Sequence, residues 1–305
     1  MNNHLPPGRL VAVTGSRGLI GSALTMALVR AGYRVRGLDL RANGTEQGDV
    51  RDRDTVKRIL HGCVGVVHLA AVSRVIDGER DPDRCWSTNV DGTRAVLDAA
   101  LESGRPWVVY ASSREVYGQP AALPATEDAP LAPVNVYGRS KVAAEGLMRD
   151  SKLLTSVVRF SNVYGTTGDH ADRVVPAFAR QAALGLPLRV NGSDHTFDFT
   201  HLDDTVRGVK AVVQQLEAAA ELPPVHFLTG TRTTLGELAA LAVGLAGSAS
   251  PIREAPPRSY DVSSFCGDPS RARELLGWSA QVALRDGLYR LIAAFRAQSR
   301  TPDVA

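Results

Sequence analysis

Cysteine, lysine and aromatic residues are scarce in this chain, and each scarcity excludes something. Cys63, Cys85 and Cys266 are the three cysteines among 305 residues. They are odd in number and far apart, with no CxxC or Cys/His spacing, so they read as structural and no metal site is expected. Lysine plus arginine (35) exceeds aspartate plus glutamate (32) by only three, and the signs are interspersed. Without a clustered basic or aromatic stripe, nucleic-acid binding is not expected. No apolar window approaches the ~20 residues of a membrane-spanning helix; the best runs, 235–246 and 206–213, are short and interrupted. The opening MNNHLPPGRL has neither the apolar run of a signal peptide nor the look of a transit peptide, which predicts a cytoplasmic protein with no membrane partner.

What is present is an enzyme-sized globular composition, 44% hydrophobic and 22% charged, enough for one large core or two modest ones. Between Arg9 and about Gly165 five apolar runs (LVAVTG, YRVRGLDL, VGVVHLAA, PWVVYASS, TSVVRFSNVYG) alternate with helical stretches at 19–32, 54–63, 82–104 and 136–149. Continuous apolar strands alternating with helices predict an α/β fold, a doubly wound parallel sheet buried on both faces. After Gly165 the stretches 165–172, 185–198 and 248–260 are rich in Gly, Pro, Ser and Asp and read as loops of a smaller, less regular lobe. The expected division is residues 1–165 for the first domain and 166–305 mainly for the second, with parts of 195–230 returning to the first. The alanine-rich run at 217–221 reads as helix.

The first strand runs into TGSRGLIG, with Gly15, Gly18 and Gly21 three apart at the start of a helix. Glycines there let the backbone approach a pyrophosphate, and the helix N-terminus supplies amide donors. Asp39 closes the second strand 18 positions after Gly21, where an acid takes the two ribose hydroxyls of NAD and repels the extra phosphate of NADP. Asp39 thus favours NAD, while Arg17 and Arg41 beside it are suited to that extra phosphate and keep NADP as the alternative.

The fourth run ends in Ser112 and Ser113, and Tyr137 with Lys141 follows in VYGRSKVAAE. Four residues is about one helical turn, so phenol and ammonium share a face, where the lysine is expected to lower the phenol's pKa toward that of a usable acid or base. With seven tyrosines and four lysines in the chain, about 0.1 such pairs are expected by chance. A serine hydroxyl at the sheet edge is placed to hold the substrate oxygen that gains or loses the proton.

These residues, in order with GDV at Asp49, VVHLAA, NVDGT at Asn89, YASSREVYG, RFSNVYG, DFTHLDDTV and PSRARELLGW, resemble the extended short-chain dehydrogenase/reductase family, and within it the nucleotide-sugar epimerases and dehydratases. The resemblance spans nearly the whole chain. It implies a Rossmann-type domain that binds NAD, a smaller C-terminal lobe for a nucleoside-diphosphate sugar, and a homodimer through a four-helix interface formed by 91–103 and 136–149. Asp49 and Val50 would flank the adenine, Leu69, Ala70, Ala71 and Asn89 would line the dinucleotide path, and Lys141 would hold the nicotinamide ribose. Leu19 and Ile20 of the glycine turn, Phe160 and Tyr137 complete the cofactor set. Ser113, Tyr137 and Lys141 would be catalytic, with Glu115 as a base at a neighbouring carbon. Ser113, Asn162, Val175, Arg189, Val190 and Arg258 would meet the substrate. His68 reads as a buried strand-end histidine, and Asp203 or Asp204 as a helix cap.

Two positions depart from the family pattern. Sugar 4,6-dehydratases usually carry an acidic pair after the catalytic hydroxyl residue, where this chain has Arg114 and Glu115. In TFDFTHLDD, Phe197 stands where an arginine usually meets the diphosphate, a contact that Arg258 and Arg189 would replace. The expected activity is transient oxidation at sugar C4 and re-reduction from the other face, giving a 4-epimer. The alternatives are dehydration through a keto intermediate, net sugar oxidation or reduction, and a non-catalytic NAD-binding protein.

Overall fold

A computed structural model describes residues 9–258, 260 and 262–300. The strands are β1 (Leu10–Thr14), β2 (Arg34–Leu38), β3 (Gly65–His68), β4 (Trp107–Ser113), β5 (Thr155–Phe160), β6 (Asn162–Tyr164), β7 (Leu188–Asn191), β8 (Thr196–Phe197), β9 (Phe199–His201), β10 (Val225–Phe227), β11 (Thr233–Thr234) and β12 (Ile252–Ala255). The helices are α1 (Leu19–Arg30), α2 (Arg53–Leu60), α3 (Val75–Arg80), α4 (Pro82–Trp86), α5 (Gly92–Glu102), α6 (Val136–Asp150), α7 (Val174–Ala183), α8 (Leu202–Glu217), α9 (Leu235–Ala246), α10 (Ser270–Leu276) and α11 (Leu284–Arg300).

Six parallel strands form one sheet in the order β10-β5-β4-β3-β1-β2. All residues of β3 and β4 are buried, because helices cover both faces. The period of two along a strand divides them: Val11, Val13, Val67 and Val109 meet Leu24 and Leu28 of α1 and the valines of α8, whereas Ala12, Val66 and Val108 meet α2, α5 and α6. From β1 the chain turns outward to β2 and then crosses back to β3 on the other side of β1. That reversal opens a crevice beyond Thr14 and His68, where the sheet of a doubly wound fold takes its ligand. The architecture is the Rossmann-type α/β fold that the alternating runs predict.

The second lobe gathers α7, α9 and α11 around its own apolar core, with Leu188 and Val190 of β7 buried inside it. Here the structure differs from the loop reading of 185–198 and 248–260: β7 and β12 pair in parallel over four residues. Strands this short show too little periodicity to stand out from their glycine-rich flanks. The helical stretch at 82–104 is interrupted by a π-helical turn, Ser87–Asp91, between α4 and α5. The run at 217–221 is not helix beyond Glu217, since Ala219 adopts φ +57°. His201, not Asp203 or Asp204, caps α8, its ring nitrogen accepting from the Asp203 amide. Cys63, Cys85 and Cys266 are buried free thiols. Among the described residues no helix is long and apolar enough to cross a membrane.

Candidate active site

A cleft of about 960 Å³ runs along the carboxyl ends of the sheet and into the second lobe. At one end the glycine turn fits a dinucleotide. Gly15 has φ +70°, and a Cβ there would stand 2.8 Å from the Ala70 nitrogen; a Cβ on Gly21 would stand 2.0 Å from the Gly15 carbonyl oxygen. Only hydrogen lets the turn fold back this tightly. Gly18 occupies the N-cap of α1 without a side-chain acceptor, so the first amides of α1 face the cleft free to meet an anion. Arg17, Leu19, Ile20, Asp49, Val50, Leu69, Ala70, Ala71 and Phe160 line the same cleft.

Asp39 is buried at the edge of this half. One oxygen accepts from the Arg17 amide (3.0 Å) and the other from the Arg41 amide (2.9 Å), which fixes the carboxylate before any ribose arrives. Asp49 is held by Arg51, whose guanidinium pushes the carboxyl below its ordinary pKa. Asn89 is a correction: it does not line the cleft. Its Oδ1 accepts from the Val72 amide (2.8 Å), and its Nδ2 donates to the Val72 carbonyl (3.1 Å) and Ser140 Oγ (2.8 Å). It therefore fixes the segment after β3 from behind, and Thr88 faces the cleft in its stead. His68 donates and accepts with Thr14 Oγ1 (2.7 Å) and Thr93 Oγ1 (3.1 Å), and burial pushes its pKa down to about 3.

The middle of the cleft holds Ser113 at the end of β4 and Tyr137 and Lys141 on the first turns of α6. Asn135 starts α6, its Oδ1 accepting from the Gly138 amide (2.7 Å). An Asn before an apolar helical run is a local N-cap signal that could have located this residue from the sequence. Tyr137 and Ser113 line the cleft side by side. Burial pushes the phenol up to about 12, opposed by Ser113 and by the charge of Arg173. The expectation that Lys141 lowers it is not met. The ammonium donates to the Ala111 carbonyl (2.7 Å) and lies over the Tyr110 ring, and its own burial brings it down to about 8. Burial dominates at both groups, since it disfavours the charged form of the phenol and of the ammonium alike.

Toward the second lobe the cleft is lined by Asn162, Val175, Arg189, Arg258, Phe197, Arg114 and Glu115. Val190 is a second correction: β7 alternates, so Arg189 is exposed while Val190 is fully buried in the second core. Glu115 has both oxygens engaged, Oε1 by Arg114 Nη2 (2.7 Å) and Oε2 by Asn135 Nδ2 (2.7 Å). Arg173 was not singled out in the sequence. It reaches from the second lobe to Ser73 Oγ (3.3 Å) and to Asp169, a placement that no local motif announces.

The sequence model of the NAD-dependent epimerase/dehydratase family matches residues 11–225. The UDP-glucose 4-epimerase of Mycolicibacterium smegmatis is 34% identical over 313 residues, covering 94% of this chain and 99% of that protein. The chain belongs to the NAD-dependent epimerase/dehydratase family. Among solved structures, UDP-glucose 4-epimerase from Thermotoga maritima with UDP-glucose superposes with a TM-score of 0.88 at 27% identity, covering 95% of this chain and 99% of that one. MoeE5 in complex with UDP-glucose and NAD superposes with a TM-score of 0.87 at 29% identity, covering 95% and 99%. The chain is accordingly an NAD-dependent enzyme of the nucleotide-sugar epimerase/dehydratase group, and the glycine turn, the unblocked α1 N-terminus and the fixed Asp39 form the half of the cleft that fits that cofactor.

Proposed function

We propose that this enzyme is a UDP-hexose 4-epimerase that works as a cytoplasmic homodimer. One observation carries the chemistry: Ser113, Tyr137 and Lys141 line one cleft between a dinucleotide cradle and a second lobe that presents Arg189 and Arg258. When bound, NAD supplies reversible two-electron oxidation of a sugar carbon. The chain's own groups handle the proton. Ser113 Oγ holds the sugar hydroxyl, Tyr137 takes its proton as phenolate and returns it as phenol, and Lys141 orients the cofactor's ribose beside them. Arg189, Arg258 and Asn162 bind the diphosphate. Arg114 stands where elimination would require an acid, which favours epimerisation over dehydration. The UDP moiety is supported by the relatives. Leu101 on α5, Trp86 on α4 and Val134 just before α6 are exposed apolar residues and support pairing through the face near α5 and α6. Three free thiols suit the reducing cytoplasm.

The test incubates the purified protein and NAD with UDP-, dTDP- and GDP-hexoses and follows product mass and proton NMR. A UDP-sugar of unchanged mass and inverted C4 is expected. Loss of one water would make the enzyme a dehydratase, and net NADH formation a dehydrogenase. Tyr137→Phe should abolish turnover while NAD still binds.

A further inference from the structure

Glu115 is the carboxylate nearest the reacting groups by sequence, yet its surroundings are those of a strut. It is 5% exposed and follows Ser113 in the short 3₁₀ turn Arg114–Tyr117. Its Oε2 accepts from Asn135 Nδ2 at 2.7 Å, and the same Asn135, 1% exposed, uses Oδ1 to cap the Gly138 amide at 2.7 Å. Its amide donates to Ser113 Oγ at 3.2 Å, and its carbonyl oxygen would lie 2.6 Å from a Cβ on Gly138, so the first turn of α6 sits directly on this turn. Its Oε1 is neutralised by Arg114 at 2.7 Å. Arg114 in turn is held from the other lobe, its guanidinium 4.6 Å over the Phe197 ring and 5.8 Å from that of Phe265. A continuous chain thus runs from Phe197 through Arg114, Glu115 and Asn135 to the helix start that carries Tyr137.

Resting on the epimerase reading above, we infer that Glu115 is a positioning residue: through Asn135 and Ser113 it sets the Ser113–Tyr137 geometry, and it carries no proton in the reaction. The acidic pair of an eliminating enzyme is here replaced by a charge-neutral brace. A buried carboxylate with a cation on one oxygen and an amide donor on the other is well placed to order its neighbours. It is poorly placed to accept a substrate proton.

The test exploits the polarity of the Glu115–Asn135 bond. In Glu115→Gln the new amide meets donors on both sides, Arg114 and Asn135, and satisfies one; in Asn135→Asp two carboxylates face each other. In the Glu115→Gln/Asn135→Asp double variant the chain is rebuilt with one bond reversed. Arg114 donates to the oxygen of the introduced amide, whose nitrogen donates to the introduced carboxylate at position 135, and that carboxylate still caps the Gly138 amide. Glu115→Ala is expected to lose about 100-fold in kcat, the scale of a misplaced reacting group, with KM and NAD affinity almost unchanged. The double variant should return to within about threefold of native, a coupling read from the cycle. If Glu115 were a base, Gln and Ala would both lose roughly 10²- to 10⁴-fold and the double variant would not recover. Amide hydrogen exchange at residues 137–140 is read in parallel on the NAD-loaded proteins. It should speed up in Glu115→Ala and slow again in the double variant; unchanged exchange would overturn the inference. That readout holds whichever sugar is turned over, whereas inactivity of the unaltered enzyme toward every nucleotide sugar bears on the proposed function alone.

Discussion

The Arg114 guanidinium lies 4.6 Å above the ring of Phe197. These are the two departures singled out in the sequence from the pattern it resembles, and they pack against each other across the two lobes. A cation placed on an aromatic face gains about 0.5–2 kcal/mol, and two guanidiniums in the same space would repel. Phe197→Arg, which places there the diphosphate arginine that the resemblance implies, should therefore raise the KM for the nucleotide sugar about tenfold instead of tightening it. Adding Arg114→Ser should relieve the effect. Steady-state kinetics of the two single variants and the double variant decide it, and a lower KM for Phe197→Arg alone would contradict this account.

The glycine turn predicts a graded series. A Cβ at Gly18 would approach the Gly15 oxygen to 3.2 Å, a contact that a few tenths of an ångström relieve, whereas at Gly21 it would meet the same atom at 2.0 Å. Gly18→Ala should weaken NAD binding severalfold at most. Gly21→Ala should weaken it by about 100-fold or more, because the α1 amides are displaced from the pyrophosphate. Isothermal titration with NAD checks the order, and equal losses at the two positions would refute the steric reading.

β7 separates binding from packing within two adjacent residues. Val190→Ala opens a hole in the second core and should cost about 2 kcal/mol of stability with kcat and KM nearly unchanged. Arg189→Ala, from the cleft face, should raise KM about tenfold and leave the unfolding midpoint alone. Urea unfolding and kinetics on the same preparations distinguish them.

Acid should unfold the protein through two neutral histidines. Burial lowers His68 from the ordinary 6.5 to about 3 and His226 to about 4. Between those values and 6.5 the unfolded chain binds more protons than the folded one, so stability is fully present above about pH 6.5 and is lost as pH falls toward 4 and then 3. Thermal unfolding midpoints at pH 7, 5.5 and 4.5 should fall in that order, with a shallower fall in His226→Gln. A slope unaltered by that substitution would assign the acid sensitivity elsewhere.

The positions that were legible in the sequence are those whose signals are local. The apolar runs, the glycines three apart, the acid at the end of β2 and the Tyr137/Lys141 spacing each follow from backbone geometry within a few residues. They sufficed to predict the doubly wound sheet and most of the cleft lining. The chain alone did not reveal which side of β7 faces the cleft, since four residues give too little alternation to orient a strand. Nor did it show that Asn89 braces Val72 from behind, that burial pushes the Tyr137 phenol up, or that Glu115 is tied to Arg114 and Asn135. Each of these depends on desolvation and on partners far apart in sequence. Only the packing of the two lobes brings Phe197 onto Arg114, beside the start of the helix that carries Tyr137 and Lys141.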